Sequence, residues 1–154
     1  MLSNDEERFI IESNRIEGIH REALISEKQA FVDFMKHKEI SVDDVATFVM
    51  TIEPGALLRS CVGMNVRIGN YFFRAGGPDV KNILSVLLHD INEQYLTPWE
   101  AHVKYEKLHP FMDGNGRSGR MIWWWMMSRT IRYKSWKEIG FLHSFYYQTL
   151  ENSK

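Results

Sequence analysis

The stretch His109-Pro110-Phe111-Met112-Asp113-Gly114-Asn115-Gly116-Arg117-Ser118-Gly119-Arg120 connects two predicted helices and holds a histidine, an aspartate, a glycine-rich turn and two arginines. Gly114 and Gly116 flank Asn115, and glycine readily adopts the positive φ angles that turn successive backbone N–H groups toward one point. Residues 117–127 contain no proline and one glycine, so the turn is predicted to open a helix whose free N–H groups attract the same anion.

The side chains around this turn favour phosphate chemistry. Arg117 and Arg120 share a helical face. Positive charge at a helix N-terminus opposes the macrodipole and costs about 0.3–1 kcal/mol per group, so the pair indicates a polyphosphate partner rather than a contribution to stability. Asp113 is suited to hold Mg²⁺. His109 is suited to accept a proton as a general base, which typically contributes on the order of 10²–10⁴-fold in rate.

Each of these residues also has an ordinary structural explanation when it is taken alone. A histidine before proline is common at a helix end, Gly-Asn-Gly is common in tight turns, and surface arginines are usually solvated. Short motifs are prone to false positives. The joint occurrence of all these residues in this order nevertheless favours a functional site.

The stretch resembles the signature of Fic-domain proteins, H-P-F-x-D/E-G-N-G-R-x-x-R, at every specified position. The resemblance implies an all-α, Fic-type helical bundle with a small β-hairpin flap. It also implies transfer of AMP from ATP to a Ser, Thr or Tyr hydroxyl of a target protein, with Mg²⁺ as cofactor and pyrophosphate as product. The related Doc toxins, which phosphorylate, carry Lys where this chain has Gly116, so the chain is more similar to the nucleotidyl-transferring members.

The same resemblance implies roles for individual residues. His109 would act as the base, and Asp113 would bind Mg²⁺. The residues that would surround the nucleotide phosphates are Gly114, Asn115, Gly116, Arg117 and Arg120. Among them, the asparagine would lie near the α-phosphate, and the two arginines would hold the β- and γ-phosphates.

A second match to the family lies near the N-terminus, at Ser13-Asn14-Arg15-Ile16-Glu17-Gly18. Ser13 and Glu17 share one helical face, and Gly18 can terminate that helix. Taken alone, the segment is a solvated glutamate followed by a capping glycine. It resembles the inhibitory motif S/T-x-x-x-E-G/N, which implies that Glu17 reaches Arg120 and occupies the space that the ATP γ-phosphate requires.

Residues 63–77 are predicted to form a hairpin. Residues 64–68 and 71–74 have strand character, and glycine at the first of the two intervening turn positions suits a type II′ turn. A lone hairpin is marginal in water and is expected to lie against the helices, as either a structural ribbon or a functional one. The family resemblance implies a flap that holds the target's main chain as an added strand. The docking residues would be Ile68, Gly69, Asn70, Tyr71 and Phe72.

Most of the remaining chain is predicted to be helical, because helix-start signals recur along it. The candidate caps are Ser3 with Glu6, Ser26 with Gln29, Ser41 with Asp44, Thr97-Pro98 with Glu100, and Ser135 with Glu138. The predicted helices lie near residues 4–17, 27–38, 42–52, 79–94, 98–108, 117–130 and 136–151. We expect one domain over 1–154, with an inhibitory helix at 1–18, the flap at 63–77 and the signature helix-loop-helix at 98–130.

Aromatic residues cluster in the last third of the chain. Trp123, Trp124 and Trp125 diverge by about 100° each on a helix and cannot all face one ligand. They predict a helix buried on most sides, with one tryptophan at a homo-oligomer surface; a dimer patch is the alternative. The C-terminal aromatics are expected in the core or an interface, although an exposed tyrosine could accept self-modification; they are Trp136, Phe141, Phe145, Tyr146 and Tyr147.

Composition narrows the class of protein. The chain has 154 residues, 44% of them hydrophobic, which suits one globular domain. A net charge of −1 argues against nucleic acid or a membrane surface as the main partner. The single cysteine, Cys61, excludes an intrachain disulfide. The sequence shows neither a signal peptide nor an apolar run of about 20 residues. We therefore expect a cytoplasmic protein.

Charge is distributed unevenly, with acids in excess over residues 1–27 and bases in excess over 100–137. This asymmetry is compatible with an internal lid over the phosphate site. The leading hypothesis is therefore an autoinhibited protein adenylyltransferase. One alternative uses the same site as a deAMPylase, with Glu17 orienting water. Another makes the chain a nucleotide-gated binding module that captures a protein without turnover.

Overall fold

A computed structural model describes residues 2–129 and residue 145 of the chain. The elements of the described part are α1 (Asn4–Ile16), α2 (Ile25–Met35), α3 (Val42–Ile52), β1 (Arg67–Ile68), β2 (Tyr71–Phe72), α4 (Pro78–Asn92), α5 (Pro98–Leu108) and α6 (Asn115–Arg129). The prediction of an all-α fold with a small hairpin is confirmed. None of the described helices combines the length and the hydropathy that a membrane span requires.

Reciprocal capping fixes the starts of three helices, as predicted. At each one, a hydroxyl accepts from the backbone N–H three residues ahead, and the acid at that position accepts from the backbone N–H of the cap. The pairs are Ser3 with Glu6, Ser41 with Asp44, and Thr97 with Glu100. These starts depend on neighbours in sequence, which explains why the sequence predicts them.

The start of α2 differs from the prediction of a Ser26 cap. The N-cap is Leu24, whose side chain cannot accept a hydrogen bond. Its backbone N–H donates instead to the buried carboxylate of Glu27 at 2.8 Å. Arg21, which is exposed, donates to the same carboxylate at 2.8 Å, so a buried carboxylate rather than a hydroxyl stabilises the start of this helix.

Helix α6 forms the centre of the bundle. Trp123, Trp124 and Trp125 are each no more than 2% exposed. The ring of Phe9 on α1 lies 4.4 Å from that of Trp124, and the Trp125 indole N–H donates to the backbone oxygen of His37 at 3.1 Å. The prediction of a buried helix is confirmed. The predictions of one tryptophan at an oligomer surface and of a dimer patch formed by this run are wrong, because the chain's own helices cover all three.

The C-terminal predictions fall largely outside the described residues. These are the helix at 136–151, its Ser135 cap and the aromatic residues around Phe145. Phe145 itself is described, and its ring packs 5.2 Å from Trp99 and 5.6 Å from Trp123. Its position agrees with the prediction of a core aromatic.

The hairpin is shorter than predicted. Strands β1 and β2 pair antiparallel over two residues each, with Ile68 opposite Tyr71. Gly69 has φ +57°, and Asn70 is not left-handed. A type II′ turn requires this combination, because only its first central residue has a positive φ. The turn prediction is therefore confirmed.

The predicted extension of the strands to Met64 and Arg74 is wrong. The carbonyls of both residues accept hydrogen bonds from the guanidinium of Arg59 rather than from the opposite strand. Below the strands, the Gly76 N–H donates to the Asn65 side chain at 2.9 Å. One further cross-strand bond runs from the Phe73 N–H to the Val66 oxygen at 3.3 Å, and beyond it the buried Arg59 side chain binds the carbonyls in place of the opposite strand.

Candidate active site

The signature residues line one cavity of about 530 Å³, between α5, α6, β1 and the end of α1. This volume lies within the range of small-molecule sites, about 300–1,000 Å³. The sequence-predicted residues that the structure brings together there are Glu17, Ile68, His109, Asp113, Gly114, Asn115, Gly116, Arg117 and Arg120. Residues that are far apart in sequence therefore line the same cavity as the glycine turn.

The glycine turn is tighter than predicted. Gly114 has φ +76°, but Gly116 lies inside α6, which begins at Asn115 rather than at residue 117. The expectation of two left-handed glycines is wrong. The reason is that the Asn115 amide accepts from the Phe111 N–H and donates to the Phe111 oxygen, each at 2.8 Å, so the loop is closed and the helix starts early. The free N–H groups facing the cavity are those of the helix N-terminus.

Asn115 therefore has a structural task that the sequence did not indicate. Its side chain is buried, and both its oxygen and its nitrogen are engaged by Phe111. Its placement beside an α-phosphate stays a prediction, and any contact would come from its backbone at the start of α6.

His109 ends α5 in a left-handed conformation, with φ 52° and ψ 61°. Its ring stacks on Phe73, with centroids 3.9 Å apart and planes at 14°. The Nδ1 atom lies 3.3 Å from the backbone oxygen of Glu106. Because a carbonyl only accepts, Nδ1 carries the proton of the neutral ring and Nε2 keeps its lone pair.

Burial lowers the pKa of His109, while the bond to the Glu106 carbonyl raises it and the charge of Arg59 lowers it further. The net direction is downward from 6.5, so the imidazole is neutral at neutral pH. A neutral imidazole with a free Nε2 can accept a proton from a hydroxyl.

Asp113 lies at the rim of the turn, where one of its oxygens accepts from the Gly114 N–H at 2.7 Å. No group of three or more His, Cys, Asp or Glu side chains among the described residues is arranged to hold a metal by itself. A single carboxylate beside an anion site fits Mg²⁺, which usually takes one or two protein oxygens and completes its shell with phosphates and water.

Arg120 is buried and bound to the end of α1. Its Nε donates to the Ser13 hydroxyl at 2.8 Å, and its Nη2 donates to the Ser13 backbone oxygen at 3.0 Å. The same Nη2 donates to Glu17 Oε1 at 2.7 Å. Gly18 has φ +79° and donates to the Arg15 oxygen, which ends the helix at this point. The predicted contact between the two segments is present.

The Glu17 carboxylate also lies against the first turn of α6. A Cβ atom on Gly116 would collide with Glu17 Oε1, so a larger residue there would push this carboxylate aside. An anionic group thus lies against the N-terminus of α6 and beside Arg120, where a helix end and a guanidinium both favour negative charge.

Arg117 has a carboxylate partner that sequence reasoning missed. Its Nη2 donates to Glu53 Oε2 at 2.7 Å. Glu53 caps the C-terminus of α3 and is 38% exposed, whereas Arg117 is 7% exposed. An ordinary glutamate before Pro54-Gly55 gave no sequence signal for this pairing.

Three more residues near the base were not predicted. Arg59 is a single charge within a mostly apolar stretch, which is a weak signal of burial. Phe73 appeared only as a strand residue. Glu106 gave no sequence signal of its own. Burial raises its pKa most, Arg120 lowers it and the Glu17 charge raises it, so that the pKa is about 7.

The tip of the hairpin is exposed beside the cavity. Ile68, Tyr71 and Phe72 are each more than 60% exposed. Gly69 and Asn70 between them are also exposed. Such a row of accessible apolar groups can meet a partner, although target docking stays a prediction.

A protein-family model described as the Fic/DOC family matches residues 11–127. The chain belongs to the Fic/DOC family. No curated protein and no solved structure matches the chain. The matched range of this Fic/DOC protein begins inside α1 and reaches into α6, so it contains the hairpin and the whole cavity. Fic/DOC membership implies transferase chemistry and interaction with a nucleotide and a protein target in general.

Proposed function

We propose that this Fic/DOC protein is an autoinhibited adenylyltransferase that transfers AMP from ATP to a hydroxyl of a target protein or of itself. One observation carries the proposal. The cavity lined by the neutral His109 and both signature arginines is also lined by the carboxylate of Glu17, which lies against the first turn of α6.

The proposed reaction begins with a hydroxyl of the target beside His109. Nε2 takes the hydroxyl proton as the oxygen forms a bond to the α-phosphorus of ATP. The bond from the α-phosphorus to the bridging oxygen of pyrophosphate breaks, and pyrophosphate leaves. The N–H groups at the start of α6 would bind phosphate oxygens, while Arg117 and Arg120 would bind the phosphates that depart.

Asp113 would contribute one oxygen ligand to Mg²⁺, together with phosphate oxygens. When bound, the ion would neutralise negative charge on the leaving group. Positioning and charge stabilisation would therefore account for most of the catalysis, with the base as a further contribution.

Inhibition would follow from competition between two anions. The Glu17 carboxylate neutralises Arg120 and would repel the γ-phosphate from the same space. ATP would then bind poorly or with its α-phosphate out of line. Release would require displacement of the end of α1 by a partner, a change in self-assembly or self-modification.

The test is the substitution Glu17→Gly in the full chain. The Glu17 side chain is 38% exposed, and exposed ion pairs contribute about 0.2–1 kcal/mol. Loss of the charge that would repel the γ-phosphate adds to this, so we expect AMP transfer to rise by about fivefold or more. The measurement uses a cell lysate, Mg²⁺ and ATP labelled at either the α- or the γ-phosphate. Retention of the α label alone indicates AMP transfer, and retention of the γ label alone indicates a kinase.

Two controls complete this experiment. His109→Ala in the Glu17→Gly background should abolish transfer. Glu22→Gly removes an exposed acid outside the contact and should leave activity unchanged. Unaltered activity in correctly folded Glu17→Gly protein would contradict autoinhibition, and retention of neither label would favour a binding module without turnover.

A deAMPylase is the second candidate, and the position of Glu17 favours it. This carboxylate lines the same cavity as His109, close enough for its charge to raise the pKa of the imidazole. It could therefore orient a water molecule toward a phosphoester. Loss of label from a premodified target, faster with the unsubstituted protein than with Glu17→Gly, would support this direction.

A further inference from the structure

Arg59 is a fully buried cation next to the proposed base. Among the described residues, no carboxylate lies within ion-pair distance of its guanidinium. Burying a charge without a counter-ion is unfavourable unless dipoles replace the lost water. Four backbone carbonyls provide those dipoles. The segments to which these carbonyls belong indicate which parts of the structure the guanidinium holds together.

Two of the four carbonyls belong to the turn that carries the base. Arg59 Nε donates to the His109 oxygen at 2.7 Å, and Nη2 donates to the Leu108 oxygen at 3.0 Å. Both oxygens lie at the C-terminus of α5, where helical carbonyls lack partners and a cation is favourable. His109 is left-handed there, a conformation that non-glycine residues rarely keep unless their surroundings enforce it.

The other two carbonyls belong to the flanks of the hairpin. Arg59 Nη1 donates to the Met64 oxygen at 3.1 Å, before β1, and to the Arg74 oxygen at 2.6 Å, after β2. Phe73, next to Arg74, stacks on the imidazole of His109. The hairpin and the base are therefore joined twice, once through the guanidinium and once through the stacked rings.

We propose that Arg59 is a positioning residue, whose guanidinium fixes the turn that orients His109 and locks the hairpin to that turn, so that the target-docking surface and the base move as one unit. This inference rests on the proposed transfer reaction. It explains why a flap exposed at its tip is closed at its base by an arginine that binds both of its flanks.

The planar fork of arginine is essential to this role. Nε, Nη1 and Nη2 reach three different directions at once, which the single ammonium of lysine cannot do. Lysine would preserve the buried charge but not the simultaneous bonds to both segments. A methionine would remove both. These two substitutions therefore separate geometry from charge.

The test compares Arg59→Lys and Arg59→Met in the Glu17→Gly background. We expect kcat for AMP transfer to fall about 10–100-fold with lysine, while the Kd for Mg-ATP changes less than about twofold. The charged groups that act on His109 are Arg59, Glu17 and Asp113. Because the Arg59 charge lowers the pKa of His109, the acidic limb of the pH–rate profile should move to higher pH with methionine but stay in place with lysine.

Asn65→Ala is the matched control. It removes the bond from the Gly76 N–H at the base of the hairpin without touching the turn at His109. We expect a higher KM for the target with an unchanged kcat and an unchanged acidic limb. If both Arg59 variants instead lose ATP affinity, thermal stability and kcat in parallel, with no shift of the limb, Arg59 is a structural residue and the proposal is wrong.

A measurement on the unsubstituted protein covers the case in which Arg59→Met does not fold. Native-state hydrogen exchange should show similar protection for the Phe73 and Gly76 amides in the hairpin and the Arg59 and His109 amides at the turn. Exchange more than about 100-fold faster in the hairpin would overturn the single-unit model. Absence of AMP transfer with Glu17→Gly would contradict the proposed function, while the exchange result would still decide the coupling.

Discussion

Both arginines after the glycine turn donate to carboxylates from distant parts of the chain. Arg120 meets Glu17, which is 103 residues away, and Arg117 meets Glu53, which is 64 residues away. Only the first pairing follows from a recognisable motif. A triphosphate that used both guanidinium groups would have to displace two anions.

We predict that Glu53→Gln strengthens ATP binding in the Glu17→Gly background. The Glu53 side chain is 38% exposed, and exposed ion pairs contribute about 0.2–1 kcal/mol, so the Kd should fall by about 1.4-fold to fivefold. Isothermal titration calorimetry measures it. AMP, which lacks the phosphates proposed for Arg117, should bind the two proteins equally. Weaker ATP binding would mean that Glu53 orients Arg117 rather than competing with phosphate.

Helix α1 delivers Glu17 to the cavity, and the way it is held determines how it could be released. Asn14 donates to the buried Glu27 carboxylate at 3.1 Å, and Phe9 packs on Trp124. The last turn of α1 is held differently, because beyond Ser13 it contacts α6 through Glu17 and ends at a left-handed glycine. The end of the helix can therefore yield while its apolar face stays in place.

Gly18→Ala should loosen this end and relieve inhibition in part. A Cβ there meets no atom within 4 Å, so the cost is conformational only, about 1–2 kcal/mol for a left-handed alanine. Up to about fivefold tighter ATP binding is expected in the otherwise unsubstituted protein. Gly63→Ala is matched, with φ +94° and equally open space, and should lose similar stability without a change in ATP affinity. Equal ATP affinities in the two variants would refute the link between this cap and the site.

Local interactions determine the turn of the hairpin, whereas long-range interactions determine the length of its strands. Its turn follows from two residues, since glycine at the first position selects the type II′ geometry. The length of its strands does not follow from these residues, because the guanidinium of Arg59 binds the carbonyls that flank the strands. No pattern of alternating residues predicts those hydrogen bonds.

The stability of the protein as a whole should depend on pH through Glu106. Its pKa is raised from 4.5 to about 7, chiefly by burial, so the folded state binds this proton more tightly than the unfolded state. The stabilisation is complete below about 4.5 and is lost as pH rises through 7. Glutamine at this position cannot ionise. The Glu106→Gln variant should therefore become more stable relative to the unsubstituted protein as the pH rises from 5 to 8.

At 1.36 kcal/mol per pKa unit, the relative gain is at most about 3 kcal/mol in the free energy of unfolding. Urea unfolding at several pH values measures it. Exposed Glu39→Gln controls for the loss of one negative charge. A difference between Glu106→Gln and the unsubstituted protein that stays constant with pH would contradict the raised pKa of the Glu106 carboxyl.

Helix capping and the signature turn could be predicted from sequence, because each depends on groups within a few residues of one another. Ser3, Ser41 and Thr97 cap helices through acids three positions ahead, and Gly114 permits the bend before α6. The burial of the tryptophan run followed from the 100° step of a helix, which leaves three adjacent large rings no common face. The order of these local units, compared with one family, was enough to place the candidate site.

Tertiary structure alone decided which charges meet. The pairing of Arg117 with Glu53, the four carbonyls around Arg59 and the burial of Glu106 join groups whose separation in sequence carries no period or motif. Electrostatic and hydrogen-bond energies depend on distances of a few ångströms and on exclusion of water. Those quantities exist only after the helices have packed, so the sequence determined the reactive groups, and the fold determined their partners.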